Sequence, residues 1–236
     1  PTEVMVAKPK QSRASRRALV DRFVTAGIKV KIIPDINELA DGTVDVNALR
    51  PVKLEDLLGR DPVPPDKNLM ESTIKAGVIM VTGAGGSIGS ELVRQILTYE
   101  PARLVLVDNN EYSLFEIRRE VEGKSSAGGV KPQIVALLGD VLDQTYMAEI
   151  MEDNGVDVIF HAAAFKHVRL VQENARLGMR NNIWGTLSLA NAAIDKRVKL
   201  FVLISTDKAV RPTSVMGASK RVAEMIIQSF ADEKSQ

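Results

Sequence analysis

The stretch Thr82-Gly-Ala-Gly-Gly-Ser-Ile-Gly89 constrains this chain more than any other. It follows an unbroken apolar run, Val78 to Thr82, and opens an amphipathic one, Ser87 to Thr98. A strand, a glycine turn and a helix in that order place a helix N-terminus at the end of a buried strand. Gly83 allows the tight turn, Gly86 lets backbone approach a pyrophosphate, and Gly89 lets helix and strand pack closely. Around Ser87 and Ile88 the first turn offers free N–H groups and a partial positive charge to phosphate. The competing reading is an ordinary tight turn.

The remaining pattern fits the same plan. Arg103 to Val107, Gln133 to Leu138, Val156 to Phe160 and Leu200 to Ser205 read as further strands. Their nearly continuous apolar character is that of strands buried on both faces. Helical segments fall between them, with Met179 to Asp195 the longest and a last helix expected from Arg221 to about Ala231. Alternating strands and helices predict an α/β fold, a Rossmann doubly wound parallel sheet.

This domain is expected over residues 77–236. Before it, Val4 to Ala7 and Lys29 to Ile33 read as strands around a helix capped by Ser12 or Ser15. Residues 1–60 are thus expected to be a partial α/β fragment, half of a small α/β unit, with Leu54 to Leu58 as one more helical turn. Residues 61–76 are read as a linker stiffened by Pro62, Pro64 and Pro65.

Composition narrows the functional classes. The net charge is +1 with no basic stripe, so no nucleic-acid partner is expected. There are no cysteines and only two histidines, His161 and His167, so no metal site is expected. No apolar run reaches the roughly 18 residues that span a bilayer. A cytoplasmic location is expected for this stretch of chain.

Asp108 ends the second strand, where a carboxylate can accept both adenosine ribose hydroxyls and repel a 2′-phosphate. Asn109 and Asn110 follow, so no arginine is at hand for that phosphate and NAD is the expected cofactor. A turn or helix cap is the alternative. Asp140 and Val141, after the third strand, are placed beside the adenine, with a plain N-cap as the other reading of Asp140. Ala162 and Ala163, after the fourth strand, complete the expected cofactor set.

Two further stretches carry a resemblance. One is His161-Ala-Ala-Ala-Phe-Lys-His-Val168, with Asn181-Asn-Ile-Trp-Gly-Thr186 after it. The other is Ser205-Thr-Asp-Lys-Ala-Val-Arg-Pro-Thr-Ser-Val-Met-Gly-Ala-Ser-Lys220. With the G-x-x-G-x-x-G turn they resemble the extended short-chain dehydrogenases that act on nucleotide sugars. More closely, they look like bacterial polysaccharide-biosynthesis proteins that are UDP-N-acetylglucosamine 4,6-dehydratases. Long members of that family carry N-terminal membrane helices, so the resemblance implies a membrane-anchored full-length protein with its catalytic domain in the cytoplasm. It also implies that residues 1–60 are the tail of an upstream nucleotide-binding-like domain. A C-terminal sugar domain is implied too, without which this chain is expected not to turn over substrate. The open edge of a five-stranded sheet invites association, so a homo-oligomer is expected.

The chemistry implied by the resemblance oxidises the sugar's 4-hydroxyl, removes water across carbons 5 and 6, and returns the hydride to carbon 6. Thr206 matches the hydroxyl that binds the 4-oxygen, Asp207 the acid, Lys208 the base, and Lys220 the lysine that holds the nicotinamide ribose. The superfamily's usual Tyr-x-x-x-Lys has Met216 at its first position here. Methionine carries no proton, so the base for the first step is left among Lys220, Asp207 and a bound water. Lys166, His167 and Asn182 are expected on the substrate side, Asn182 matching an asparagine that ties the central helix to the active site. His161 is expected to support the cofactor loop. A nucleotide-sugar 4-epimerase or reductase is the second reading, and a non-catalytic cofactor-binding module the third.

Overall fold

The computed structural model describes residues 3–6, 22–23, 26, 28–32, 50–51, 65–123 and 132–234. Two compact units divide at Pro65 and Asp66. In the first, strand β1 (Glu3–Val6) pairs in parallel with β2 (Lys29–Ile32), and β2 pairs antiparallel with the two-residue β3 (Arg50–Pro51). A parallel neighbour needs a crossover, as the strand–helix–strand pattern anticipates. The helix expected before Ala26 and the turn at Leu54 to Leu58 lie largely outside the described residues.

The second unit opens with α1 (Lys67–Ile74), not with linker. Asp66 makes the difference: its Oδ1 accepts the N–H groups of Asn68 and Leu69 and caps the helix. Ile74 is then fully buried in the domain core. The division at Pro65 falls within the proline-rich stretch, but the expected linker runs too far, since the domain starts at Asp66 and not at residue 77.

Then follow β4 (Val78–Thr82), α2 (Ser87–Leu97), β5 (Arg103–Asp108), α3 (Glu111–Gly123), β6 (Gln133–Leu138), α4 (Gln144–Asn154) and β7 (Val158–His161). The chain continues through α5 (Val168–Glu173), α6 (Ala175–Met179), a π-helical segment (Arg180–Trp184), α7 (Gly185–Asp195), β8 (Leu200–Leu203) and α8 (Val215–Lys234). All five strands of this sheet run parallel in the order β6-β5-β4-β7-β8. This is the doubly wound Rossmann order, whose connections reverse between β4 and β7.

Burial on both faces explains the apolar strands. Ile79 and Val81 of β4, with Leu104 and Leu106 of β5, pack with Val93 and Ile96 of α2 and Leu114 and Ile117 of α3. The alternate residues Met80, Val105 and Val107 pack on the other side with Met147 and Ile150 of α4 and Leu189 and Ala192 of α7. β4 and β5 therefore leave no residue exposed.

Two helices depart from expectation. The long central helix starts at Ala175 and carries the π segment, which brings Asn181 and Asn182 into the interior. The last helix begins at Val215, not Arg221, because Ser214 Oγ accepts the Gly217 N–H at 3.2 Å and Gln172 Oε1 accepts that of Val215 at 3.1 Å. Met216 and Lys220 consequently sit one turn apart on a single helix.

Candidate active site

The glycine turn after β4 is shaped by positions that tolerate no Cβ. Gly83 has φ +68, and a Cβ there would lie 2.6 Å from the Ala163 nitrogen. At Gly89 it would lie 1.9 Å from the Gly83 carbonyl oxygen. Gly85 packs equally hard on α3, with a Cβ falling 2.5 Å from that of Ser113; the motif spacing does not single it out. Helix α2 begins after Gly86 with no side-chain cap. The N–H groups of its first turn, at Ser87, Ile88 and Gly89, are thus left for a ligand.

Asp108 is 8% exposed at the end of β5. Its Oδ2 accepts the Gly85 N–H at 2.8 Å and its Oδ1 that of Asn110 at 2.9 Å. The carboxylate therefore braces the glycine turn, and each oxygen keeps a lone pair for a further donor. The helix-cap alternative falls to Asn110, whose Oδ1 accepts from Ser113 N–H at 2.9 Å. Asp108, Gly83, Gly86, Gly139, Val141 and Ala163 line a cavity of about 190 Å³. Asp140 does not line it. Its Oδ1 closes a turn onto Leu142 N–H, while Asp143 caps α4, so the plain N-cap reading of Asp140 falls to Asp143. The side chain projects into solvent.

A second cleft, about 660 Å³, opens at the carboxyl ends of β4, β7 and β8. The first turn of α2, Ala162, Lys166, His167, Thr206, Lys208, Met216 and Lys220 all line it. Glycine loop, His-Ala-Ala-Ala segment and Ser-Thr-Asp-Lys segment are therefore one site. Asp207 is absent from this wall: it takes a hydrogen bond from Thr206 Oγ1 at 3.0 Å and an ion pair from Lys208 at 3.4 Å. Lys166 leans to the cofactor side, its Nζ 3.1 Å from Ser87 Oγ. His167 begins α5 without a side-chain cap bond.

Asn182 lies under the cleft, 1% exposed. Its Nδ2 donates to Phe165 O and Ser219 Oγ, and its Oδ1 accepts from Phe165 N–H and Asn181 Nδ2. All four bonding positions are used, so it cannot contact a sugar and its substrate-side assignment is overturned. It is a brace, as its match to the tying asparagine implies.

The brace extends to the first strand. Thr186 Oγ1 gives its only proton to the Asn182 carbonyl at 2.8 Å, since a carbonyl can only accept. His161 Nε2 must then donate to Thr186 Oγ1 at 3.1 Å, and Nδ1 accepts from Thr82 Oγ1 at 2.7 Å. Ser219 in turn donates to Met216 O at 2.7 Å. A continuous buried chain thus runs from β4 through β7 and the π segment to α8. Burial, and secondarily the Lys220 charge, push the His161 imidazole down to about 3. His161 is a neutral structural link between Thr82 and Thr186.

Lys220 is 6% exposed. Burial pushes its ammonium down to about 8, against the opposing pull of the Glu224 carboxylate. Met216, 4% exposed, lies one turn earlier on the same wall.

Whether a dinucleotide suits these residues is decided by three observations. Adding a Cβ would fill the turn, the helix start is uncapped, and a braced carboxylate waits at the end of the second strand. The fit is good.

Fold and site together define a protein of the short-chain dehydrogenase class, in its epimerase–dehydratase branch. The chain belongs to the polysaccharide biosynthesis protein family, whose model matches residues 79–236. It is 39% identical over 233 residues to the capsular polysaccharide biosynthesis protein CapD of Staphylococcus aureus, covering 99% of this chain and 38% of that protein. A UDP-N-acetylglucosamine 4,6-dehydratase (inverting) of Campylobacter jejuni is 30% identical over 149 residues, 63% of this chain and 42% of its own length. The UDP-glucose 4-epimerase of Rickettsia felis is also 30% identical, over 158 residues, 67% of this chain and 45% of its own. Among solved structures, the dTDP-glucose 4,6-dehydratase DesIV of Streptomyces venezuelae, determined with NAD bound, superposes with TM-score 0.57 at 25% identity, over 67% of this chain and 52% of its own. The chain thus spans well under two thirds of the length of these relatives. Among the described residues, no helix is long and apolar enough to cross a membrane.

Proposed function

We propose that the full-length protein is an NAD-dependent 4,6-dehydratase of a UDP-N-acetylhexosamine, converting UDP-N-acetylglucosamine to the 4-keto-6-deoxy sugar for surface polysaccharide. One observation carries the reading. Thr206 and Lys208 share a cleft with Lys220 and with the uncapped helix of the glycine turn, and Met216 stands where a proton-carrying tyrosine would.

The dinucleotide is held by Gly83, Gly86, Ser87, Ile88, Gly89, Asp108, Val141, Ala162, Ala163 and Lys220; its nicotinamide supplies a reversible hydride acceptor. The Thr206 hydroxyl orients the sugar's 4-oxygen. Lys220 takes the 4-hydroxyl proton on Nζ, which is half neutral near pH 8. Its burial beside Thr206 favours it over the exposed Asp207 for this step. Lys208 removes the proton at carbon 5 once the neighbouring ketone has acidified it. Asp207 protonates the departing 6-hydroxyl, which requires its side chain to turn from Lys208 into the cleft. Lys166 and His167 meet the phosphates at the mouth.

The second reading, a 4-epimerase, draws on the equal identity to the Rickettsia enzyme and on the outward position of Asp207. Incubating the full-length protein with UDP-N-acetylglucosamine and NAD in deuterated water separates the two. A dehydratase yields the 4-keto-6-deoxy sugar with deuterium at carbon 5. Formation of the carbon-4 epimer alone would overturn the proposal.

A further inference from the structure

The turn bearing Thr206, Asp207 and Lys208 and the helix bearing Met216 and Lys220 are separate pieces of chain that must hold a fixed spacing. Two contacts set it. At the N-terminal end of α8, a Cβ on Gly217 would lie 2.4 Å from the Lys208 carbonyl oxygen, so helix and turn touch backbone to backbone. Two turns further along, Ser205 Oγ donates to Glu224 Oε1 at 2.5 Å. The other oxygen, Oε2, accepts from Arg221 Nη1 at 2.9 Å. Ser205 directly precedes Thr206 and itself lines the cleft.

We propose that Glu224 is a positioning residue of the active site: through Ser205 it holds the Thr206–Lys208 turn at a set distance from Lys220. The inference rests on the dehydratase reading for its catalytic consequence, though not for its geometry. A hydrogen bond to a carboxylate is shorter and stronger than one to a neutral acceptor. Ser205 is the last residue before the turn, so a short bond there fixes where Thr206 begins. The bond to Ser205, then Arg221, keep the Glu224 carboxyl below the usual carboxylate range, so it is ionised at neutral pH.

The same carboxylate lies four residues from Lys220 on α8 and favours its charged form. The groups around Lys220 are few. Glu224 and Arg221 belong to its own helix, neutral His161 faces it from β7, and Lys208, Lys166 and His167 stand across the cleft. Glu224 is the acid that opposes burial there. One side chain therefore links the spacing of the turn to the protonation of Lys220.

Three variants test this. Glu224→Gln keeps an acceptor for Ser205 but loses the charge, Ser205→Ala loses the bond but keeps the charge, and Glu224→Ala loses both. The first readout is acetylation of Lys220 by acetic anhydride against pH, followed by mass spectrometry of its peptide. Glu224→Gln and Glu224→Ala should move the midpoint to lower pH, and Ser205→Ala should move it little. The second is turnover by the full-length protein. Ser205→Ala and Glu224→Ala should lower kcat roughly ten- to a hundredfold, the cost of a misplaced group, with KM for the nucleotide sugar nearly unchanged. Glu224→Gln should retain more of kcat, with its pH profile shifted to match the acetylation midpoint. An unmoved Lys220 midpoint in Glu224→Gln, or full kcat in Glu224→Ala, overturns the inference, as does a loss that merely follows Tm. If even the unaltered protein makes no keto sugar, the dehydratase reading fails, while the acetylation midpoint still decides whether Glu224 sets the protonation of Lys220.

Discussion

The two halves of the site are built in opposite ways. The dinucleotide half is made of backbone and of absent side chains. Its glycines sit where a Cβ would overlap neighbouring main chain, and its one carboxylate, Asp108, is held by two N–H groups. The chemical half is made of side chains on a turn and a helix, and several, such as Asp207 and Lys208, stand well out in solvent. A pyrophosphate is recognised by geometry that must exist beforehand. Proton transfer requires groups that approach a substrate and move with it.

Gly89→Ala puts the largest strain on this contrast. Its new Cβ would meet the Gly83 carbonyl at 1.9 Å, with no flexible atom to yield. Overpacking of this kind costs about 1–3 kcal/mol or more, so NAD affinity should fall by roughly fivefold to a hundredfold or more, together with Tm. Calorimetric titration and thermal unfolding measure both. Unchanged binding would mean that the rigid half is not rigid.

Lys220→Ala should break the chemical half and also loosen the hold on the nicotinamide ribose. Turnover should drop about 10²–10⁴-fold, the usual size for one acid–base group, while the fold persists. In the unaltered protein the first step should quicken as pH rises through about 8, where Lys220 becomes neutral. Stopped-flow absorbance of reduced cofactor reads it, and a rate that falls across that range would return Lys220 to a purely binding role.

Asp108 tests selectivity within the cradle. NAD should bind about ten- to a hundredfold tighter than NADP, through repulsion of the 2′-phosphate. Asp108→Asn should narrow that ratio, and equal affinities in the unaltered protein would remove the argument.

His161 sharpens the contrast through stability. Unfolded, the imidazole takes a proton below about 6.5; folded, it resists until about 3. Its neutral burial is therefore fully tolerated above the upper value, and stability is lost progressively as pH falls between the two. His161→Gln should flatten that acid limb of a Tm–pH curve. The smallest effect belongs to Asp140→Ala, a solvent-facing turn outside both cavities: stability should stay within about 0.5 kcal/mol and NAD affinity within about twofold, about 0.4 kcal/mol.

Sheet and cradle are legible in the order of residues alone. Strands buried on both faces must be apolar throughout, and β4 can be bounded to the residue for that reason. A close turn between strand and helix can be made in few ways, so Gly83 and Gly89 declare themselves. Packing settles the rest. Residues 67–74 form a helix where a linker is expected, because three prolines are a louder local signal than the cap at Asp66 and the long-range burial of Ile74. Asn182 looks available in the sequence, yet its amide is saturated by Phe165, Ser219 and Asn181, partners distant or invisible to a local pattern. Asp207 and Lys208 are adjacent along the chain, but Lys208 lines the cleft and Asp207 does not. Gly85 and Ser205 lie inside the motifs and Glu224 outside them, yet none shows its role locally, because each acts through contacts made across elements: Gly85 on Ser113, Ser205 on Glu224. Local sequence specifies periodicity and backbone permission. Which side chains finally meet depends on how separate elements pack, and that is fixed by the whole core at once.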